Sequence, residues 1–173
     1  MIDRIHRFGQ KSKVTKISGN RLIFPSNGNV YKEKVPIPKQ HDILDKRETN
    51  FKFSSYAEST IIHDNGNAFT GRATKVKTYN ETREAVRQIL RNPETISAIH
   101  NIYAYKFTDK DGKTHKGFED DGEFDAGTKL LKHICEHNVD DVLVIVSRNA
   151  GDKLDPLRFT HIINVGNAAL AEL

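Results

Sequence analysis

The chain has no apolar run long enough to cross a bilayer. The longest, Val142 to Val146, falls far short of the roughly 20 residues a spanning helix needs. The polar start, Met1 to Phe8, also lacks the apolar region of a signal peptide. Together these absences lead to the expectation of a soluble, cytoplasmic protein with no membrane partner. A single cysteine, Cys135, excludes an intramolecular disulfide; it sits inside a helical pattern and reads as a small core or flanking residue. His133 and His137 have the helical spacing that can place two imidazoles on one metal, but no third ligand follows at fixed spacing, so neither metal nor cofactor is expected. There is no internal repeat or low-complexity tract, and 173 residues suit one compact domain with an appendage.

Charge is unevenly distributed. Residues 1–48 hold 11 Lys and Arg against 5 Asp and Glu, a net +6, whereas the remainder holds 16 against 18, a net −2. Arg4, Arg7, Lys11, Lys13, Lys16 and Arg21 give the first part a basic character suited to phosphate or an acidic protein surface, or to a solvated tail. Within it, Arg21 to Phe24 and Val30 to Val35 flank Asn27-Gly28, a pair fitted to a tight hairpin turn. Pro36, Pro38 and the charged run Asp42 to Glu48 then read as a linker. The expected division is a basic extension over 1–59 and an α+β domain over 60–173.

That domain alternates strand and helix signals. Ala68 to Val76 has strand character, and Thr78 with Glu81 has capping-box spacing ahead of Ala85, Val86, Ile89 and Leu90 on one helical face. Asn92-Pro93 ends that helix. Strands follow at Ile102 to Phe107 and His115 to Phe118, joined by a turn over Asp109 to Gly112. A helix with Gly127, Leu130, Leu131 and Ile134 on one face precedes a buried strand, Val142 to Val146. The last helix is expected to open with Asp155 as N-cap and Pro156 at its first position, with a stripe of Phe159, Ile162, Ile163, Gly166, Ala169 and Leu170. The expected fold is an α+β sandwich: one mixed, mainly antiparallel sheet packed by two to three helices.

Glu119 to Gly127, EDDGEFDAG, crowds Asp120, Asp121 and Glu123 into four residues, whose repulsion must be offset by helix-end amides, arginines or a bound partner. His100 and Asn101, at the start of a strand, can supply a proton acceptor and an orienting amide if they lie beside those acids, although no nucleophile pattern accompanies them. Alternation along HNIYAYKF sets Tyr103, Tyr105 and Phe107 on one face, as core beneath a helix or as a base-stacking platform, and core is favoured. Arg148 and Arg158 can hold an anion or pair with Asp120, Asp121 or Glu123, and pairing is favoured.

Taken in order, NAFTGRATKV, HNIYAYKF, EDDGE with its following AG, VLVIVSR and LRF resemble the IMPACT family, including its bacterial YigZ relatives, from about Asn67 to Leu173. The resemblance implies a fold similar to the second domain of ribosomal protein S5. It also implies a regulator that competes for the scaffold activating the starvation-responsive kinase of initiation factor 2, acting by binding and without established catalytic residues. Two departures stand out. Eukaryotic relatives carry an N-terminal RWD domain, for which the stretch before the match is too short. The family's arginine loop resembles SRWxGGxxLGPxRF, whereas this chain has Asn149, Asp152 and Asp155 where the pattern has an aromatic and two glycines, so two acids would oppose an anion there.

The leading expectation is a noncatalytic, translation-associated binding protein whose partner is a translation scaffold or the ribosome, with RNA contacted through the basic extension. Its candidate binding residues are His100, Asn101, Tyr103, Tyr105, Asp120, Asp121, Glu123, Arg148 and Arg158. The alternatives are an RNA-binding protein reading bases on the aromatic strand, or a hydrolase built on His100 and the Asp120, Asp121 and Glu123 cluster.

Overall fold

The structure, a computed structural model, describes residues 55–149 and 156–173. The expected Asn27-Gly28 hairpin, the basic residues Arg4, Arg7, Lys11, Lys13, Lys16 and Arg21, and the loop acids Asp152 and Asp155 lie outside the described residues. The elements run β1 (Ala57–Glu58), β2 (Ile62–Asp64), β3 (Asn67–Lys75), α1 (Tyr79–Leu90), α2 (Pro93–Ile96), β4 (His100–Thr108), β5 (Thr114–Glu119), α3 (Ala126–Glu136), β6 (Val142–Asn149) and α4 (Arg158–Ala171). The fold class is α+β. The six strands form one sheet in the order β1-β3-β6-β4-β5, with β2 also on β3. Every described pairing is antiparallel, so the sheet is not mixed. It already includes Ala57–Glu58, just upstream of the expected boundary at residue 60.

Central placement explains the unbroken apolar run of β6. Inserted between β3 and β4, it is buried from Val142 to Arg148 and feeds two cores. Val142, Val144 and Val146 pack with Leu130, Ile134, Ile162 and Val165 from α3 and α4. Leu143 and Ile145 pack on the opposite face with Val86 and Ile89 of α1. The second core also takes Tyr103, Tyr105 and Phe107, at 3%, 4% and 1% exposure. This corrects the base-stacking reading of the aromatic strand: the ring faces of Tyr103 and Tyr105 are spent on packing.

Local chemistry sets the helix ends. Thr78 Oγ1 accepts from the Glu81 amide at 3.1 Å, while Glu81 Oε2 reaches back to the Lys77 amide at 2.6 Å. Asn92 does more than end α1, because its side chain accepts from the Glu94 amide at 3.0 Å and, with Pro93, starts the short α2. In the β4–β5 turn, Asp109 Oδ1 accepts from the amides of Asp111 and Lys113, both at 2.9 Å, and Gly112 takes φ 76°. The last helix starts at Arg158 rather than Pro156, with Leu157 at its cap and no side-chain cap bond. Its buried stripe is Ile162, Val165, Gly166 and Ala169. Gly71 lets it lie directly on β3, since a Cβ there would sit 2.1 Å from the Val165 carbonyl oxygen. That close approach brings Arg158 to the Asn149 end of the sheet.

Candidate functional site

Register assembles this end of the sheet. On β6, Arg148 stands opposite Phe69 of β3 and His100 of β4, and Ser147 stands opposite Thr70 and Asn101. Alternation then directs Arg148 and His100 to the α3–α4 face, while Ser147 and Asn101 turn to the other.

The acidic loop between β5 and α3 closes over the first group. Left-handed backbone at Asp121 (φ 45°), Gly122 (φ 86°) and Asp125 (φ 73°) turns successive side chains toward different elements. Asp120 Oδ1 accepts from the Gly127 amide in the first turn of α3 at 2.7 Å. Burial pushes the Asp120 carboxyl above the ordinary aspartate value, with the Gly127 amide pulling the other way. Asp121 is exposed along its outer edge, but its Oδ2 accepts from the Asn101 amide at 2.7 Å and its carbonyl oxygen lies 2.8 Å from His100 Nδ1. Loss of water around that carboxyl raises its pKa, against the effect of the Asn101 amide.

Glu123 is the hub. Its Oε1 accepts from Arg158 Nε at 2.8 Å and its Oε2 from Arg148 Nη1, with His100 Nε2 3.8 Å from the same oxygen. Arg148 also donates through Nε and Nη2 to Asn67 Oδ1, at 3.3 and 3.1 Å. Both arginines therefore pair as expected, with Glu123 rather than with Asp120 or Asp121.

On the opposite face Arg72, 1% exposed, donates to Ser147 Oγ at 3.1 Å, and Ser147 donates to Asn101 Oδ1 at 2.8 Å. Asn101 Nδ2 donates to the Thr95 carbonyl at 3.0 Å, and Arg72 also meets Glu58 at 2.6 Å and Glu94 at 3.6 Å. Asn101 joins the two groups, its side chain on one face and its amide on Asp121.

Among the sequence candidates, the structure brings His100, Asn101, Asp121, Glu123, Arg148 and Arg158 together, turns Asp120 aside to α3, and sends Tyr103 and Tyr105 to the other core. Sequence reasoning missed Asn67, Arg72 and Ser147. A charge in the middle of the strand pattern FTGRATK was the available signal for Arg72. The His133 and His137 rings stand 4.0 Å apart, with His133 Nε2 2.7 Å from Asn167 Oδ1 and His137 Nδ1 donating to the His133 carbonyl. No group of three or more metal-binding side chains converges among the described residues.

Chemically, the cluster is a set of mutually satisfied partners. Both Glu123 oxygens accept from guanidinium groups, and the hydroxyl of the network, Ser147, donates to an amide oxygen rather than to an imidazole. An activated nucleophile requires the reverse, a hydroxyl or thiol whose proton faces a base.

The sequence comparisons bear on this same region. A family model described as the Impact N-terminal domain matches residues 65–170. The chain belongs to the IMPACT family. It is 34% identical over 116 residues to the Protein IMPACT homolog of Caenorhabditis elegans, covering 65% of this chain and 45% of that protein. To Protein IMPACT of Rattus norvegicus it is 37% identical over 119 residues (67% and 37% covered), and to that of Homo sapiens 38% over 114 residues (64% and 35% covered). The chain thus spans less than half the length of these curated relatives.

Two solved structures share the fold. One, described as the crystal structure of a hypothetical protein, aligns with TM-score 0.56 at 21% identity, over 68% of this chain and 58% of that one. The other, Yih1, described as a two-domain translational regulator, aligns with TM-score 0.52 at 23% identity, over 87% and 55%. In the IMPACT-family stretch defined by the match lie Asn67, Arg72, His100, Asn101, Asp121, Glu123, Ser147, Arg148 and Arg158, the polar residues that meet at the sheet end.

Proposed function

We propose that this IMPACT-family chain acts in the regulation of translation by binding, in the cytoplasm, to a translation scaffold protein or to the ribosome. The observation that carries the noncatalytic part is the engagement of Glu123 by both Arg148 and Arg158, which makes the acidic signature an organiser of the surface rather than a reacting group. Family membership and the description of Yih1 as a translational regulator support the setting. The net +6 of residues 1–48 offers an additional contact to ribosomal RNA, sensitive to salt.

Affinity purification of the full chain followed by mass spectrometry tests the reading, in parallel with a variant lacking residues 1–48. Recovery of translation components is expected, with the deletion weakening retention and reducing its salt dependence. A partner list empty of translation components overturns the proposal. Equal, salt-insensitive recovery by the deletion variant removes the basic segment from it.

A further inference from the structure

At another corner of the fold a hydroxyl does face a base. Tyr79 opens α1, His115 lies on the edge strand β5, and Asp109 begins the turn between β4 and β5. These three elements bring their side chains into one line. The Tyr79 hydroxyl oxygen is 3.1 Å from His115 Nδ1, and His115 Nε2 is 2.7 Å from Asp109 Oδ2.

The partners decide where the protons sit. Asp109 Oδ1 takes the amides of Asp111 and Lys113, and the bond from His115, aided by these amides, holds the Asp109 carboxyl below the ordinary aspartate value. An ionised carboxylate can only accept, so Nε2 carries the proton of the neutral imidazole and Nδ1 turns its lone pair to the phenol. The Tyr79 O–H therefore donates to His115. That is the relation Ser147 lacks: a hydroxyl on a base that a third group orients.

Packing holds the rings in this geometry. His115 stacks on Phe107, with centroids 4.9 Å apart and planes 19° from parallel, and Tyr79 stands edge-on to Phe107 and His115 at 5.2 and 5.1 Å. A base already in register with the phenol oxygen spares a reaction the entropy of bringing the two together. The corner also faces solvent. Tyr79 is half-buried and the Asp109 side chain is 26% exposed, whereas Tyr103 and Tyr105 are buried in the second core.

We propose that Tyr79 is a self-acylating residue, accepting acyl groups from activated carboxylic esters, with His115 as its general base and Asp109 orienting that base. The phenol oxygen attacks the ester carbonyl carbon as its proton passes to His115 Nδ1. The carbon–oxygen bond to the leaving group then breaks, and the leaving group departs as the anion. The imidazolium, held by Asp109, returns its proton to solvent. Water later hydrolyses the tyrosyl ester, giving the free carboxylate and restoring the phenol. This activity is independent of the translation-binding reading and uses no residue of the Glu123 hub.

The full chain is mixed with p-nitrophenyl acetate, release of p-nitrophenolate is followed by absorbance, and acetylated peptides are mapped by mass spectrometry before and after hydroxylamine. Hydroxylamine cleaves a tyrosyl ester and spares acetyl-lysine, so it separates Tyr79 from surface lysines that react directly. The expected result is a hydroxylamine-labile acetyl group on the Tyr79 peptide, formed at least about tenfold more slowly in His115→Phe and in Asp109→Asn. His115→Phe keeps the ring on Phe107. Asp109→Asn keeps the oxygen that the turn amides need, while its amide can donate to Nε2 and make Nδ1 a donor. Thermal melting checks that each variant is folded, and if His115→Phe is not, Asp109→Asn decides alone. Tyr79→Phe should lose the labile acetyl and retain the acetyl-lysines. A wild-type chain with no labile acetyl at Tyr79, or folded variants that acetylate it at the wild-type rate, overturns the proposal and leaves the three residues as a tie between the hairpin and α1.

Discussion

Replacing Glu123 by alanine removes the carboxylate that meets both Arg148 and Arg158, and the structure allows the cost to be worked out. The Arg148 side chain is 5% exposed on the central strand, so its guanidinium is left with the amide oxygen of Asn67. Arg158, at 24% exposure, can turn toward water, and its share is discounted accordingly. Removing one partner of a buried ion pair costs about 3–5 kcal/mol, and the surviving Asn67 contact sets the expectation at the lower end, about 3 kcal/mol. Glu123→Gln keeps one oxygen for one guanidinium and should lie between alanine and wild type, losing about 1.5–3 kcal/mol. The double variant Glu123→Leu/Arg148→Met replaces charge by apolar volume and should recover much of the single-variant loss, because no buried charge remains unpaired between the two positions. Urea unfolding followed by far-ultraviolet circular dichroism measures all of these as midpoint shifts at unchanged m, the chain having no tryptophan to follow. Reactive groups are often held at the expense of stability, so a Glu123 poised for proton transfer would leave the alanine variant as stable as wild type or more so. A loss under about 1 kcal/mol, or a double variant that loses the sum of the singles, refutes the structural role.

Three further outcomes follow from other parts of the molecule. Gly71→Ala forces a methyl group onto the Val165 carbonyl, a backbone atom with no rotamer to yield, and should cost at least about 1–3 kcal/mol in the same unfolding assay. Asn101→Ala strips the acceptor from Ser147 and the donor from the Thr95 carbonyl; a loss of about 1–3 kcal/mol with faster amide exchange at Asn101 and in α2 is expected, and unchanged exchange there counts against the cross-sheet network. Burial raises the folded-state pKa of Asp120 above the ordinary 3.8, so its favourable contribution is complete below that value and is lost as pH rises through the folded-state pKa. Asp120→Asn keeps an oxygen for the Gly127 amide but does not titrate, and should therefore gain stability relative to wild type as pH moves from acid to neutral; wild type gaining instead refutes the assignment.

Features determined by neighbours in sequence were readable from it. The Thr78–Glu81 capping box, the Asp109–Gly112 turn and the alternation of HNIYAYKF each depend on residues a few positions apart, and each formed where the pattern placed it. The start of α4 was misread because Asp155-Pro156 has the chemistry of a helix start, whereas the observed cap position is Leu157, which has no side-chain oxygen to signal it. The polar hub was only half legible for a topological reason. Asn67 and Arg148 lie 81 positions apart and meet only because β6 inserts beside β3. No periodicity within either strand carries that information, so Asn67 and Ser147 were invisible as site residues, Arg72 showed only as a charge inside a strand pattern, and the acids of EDDGE were conspicuous.

Those acids show how a concentration of like charge becomes a rigid feature. In an extended loop Asp120, Asp121 and Glu123 would face one another's fields; left-handed turns at Asp121, Gly122 and Asp125 send them instead to a helix amide, a strand amide and a pair of guanidinium groups. Left-handed backbone at a non-glycine residue costs about 1–2 kcal/mol, so the geometry persists because these partners over-determine it. Gly122 supplies the φ of 86° that an L side chain rarely adopts, and it packs beside the His100 ring. The loop is therefore held from β4, β6, α3 and α4 together. A local peptide flap would transmit nothing inward; this loop cannot move without disturbing Arg148 at the end of the central strand.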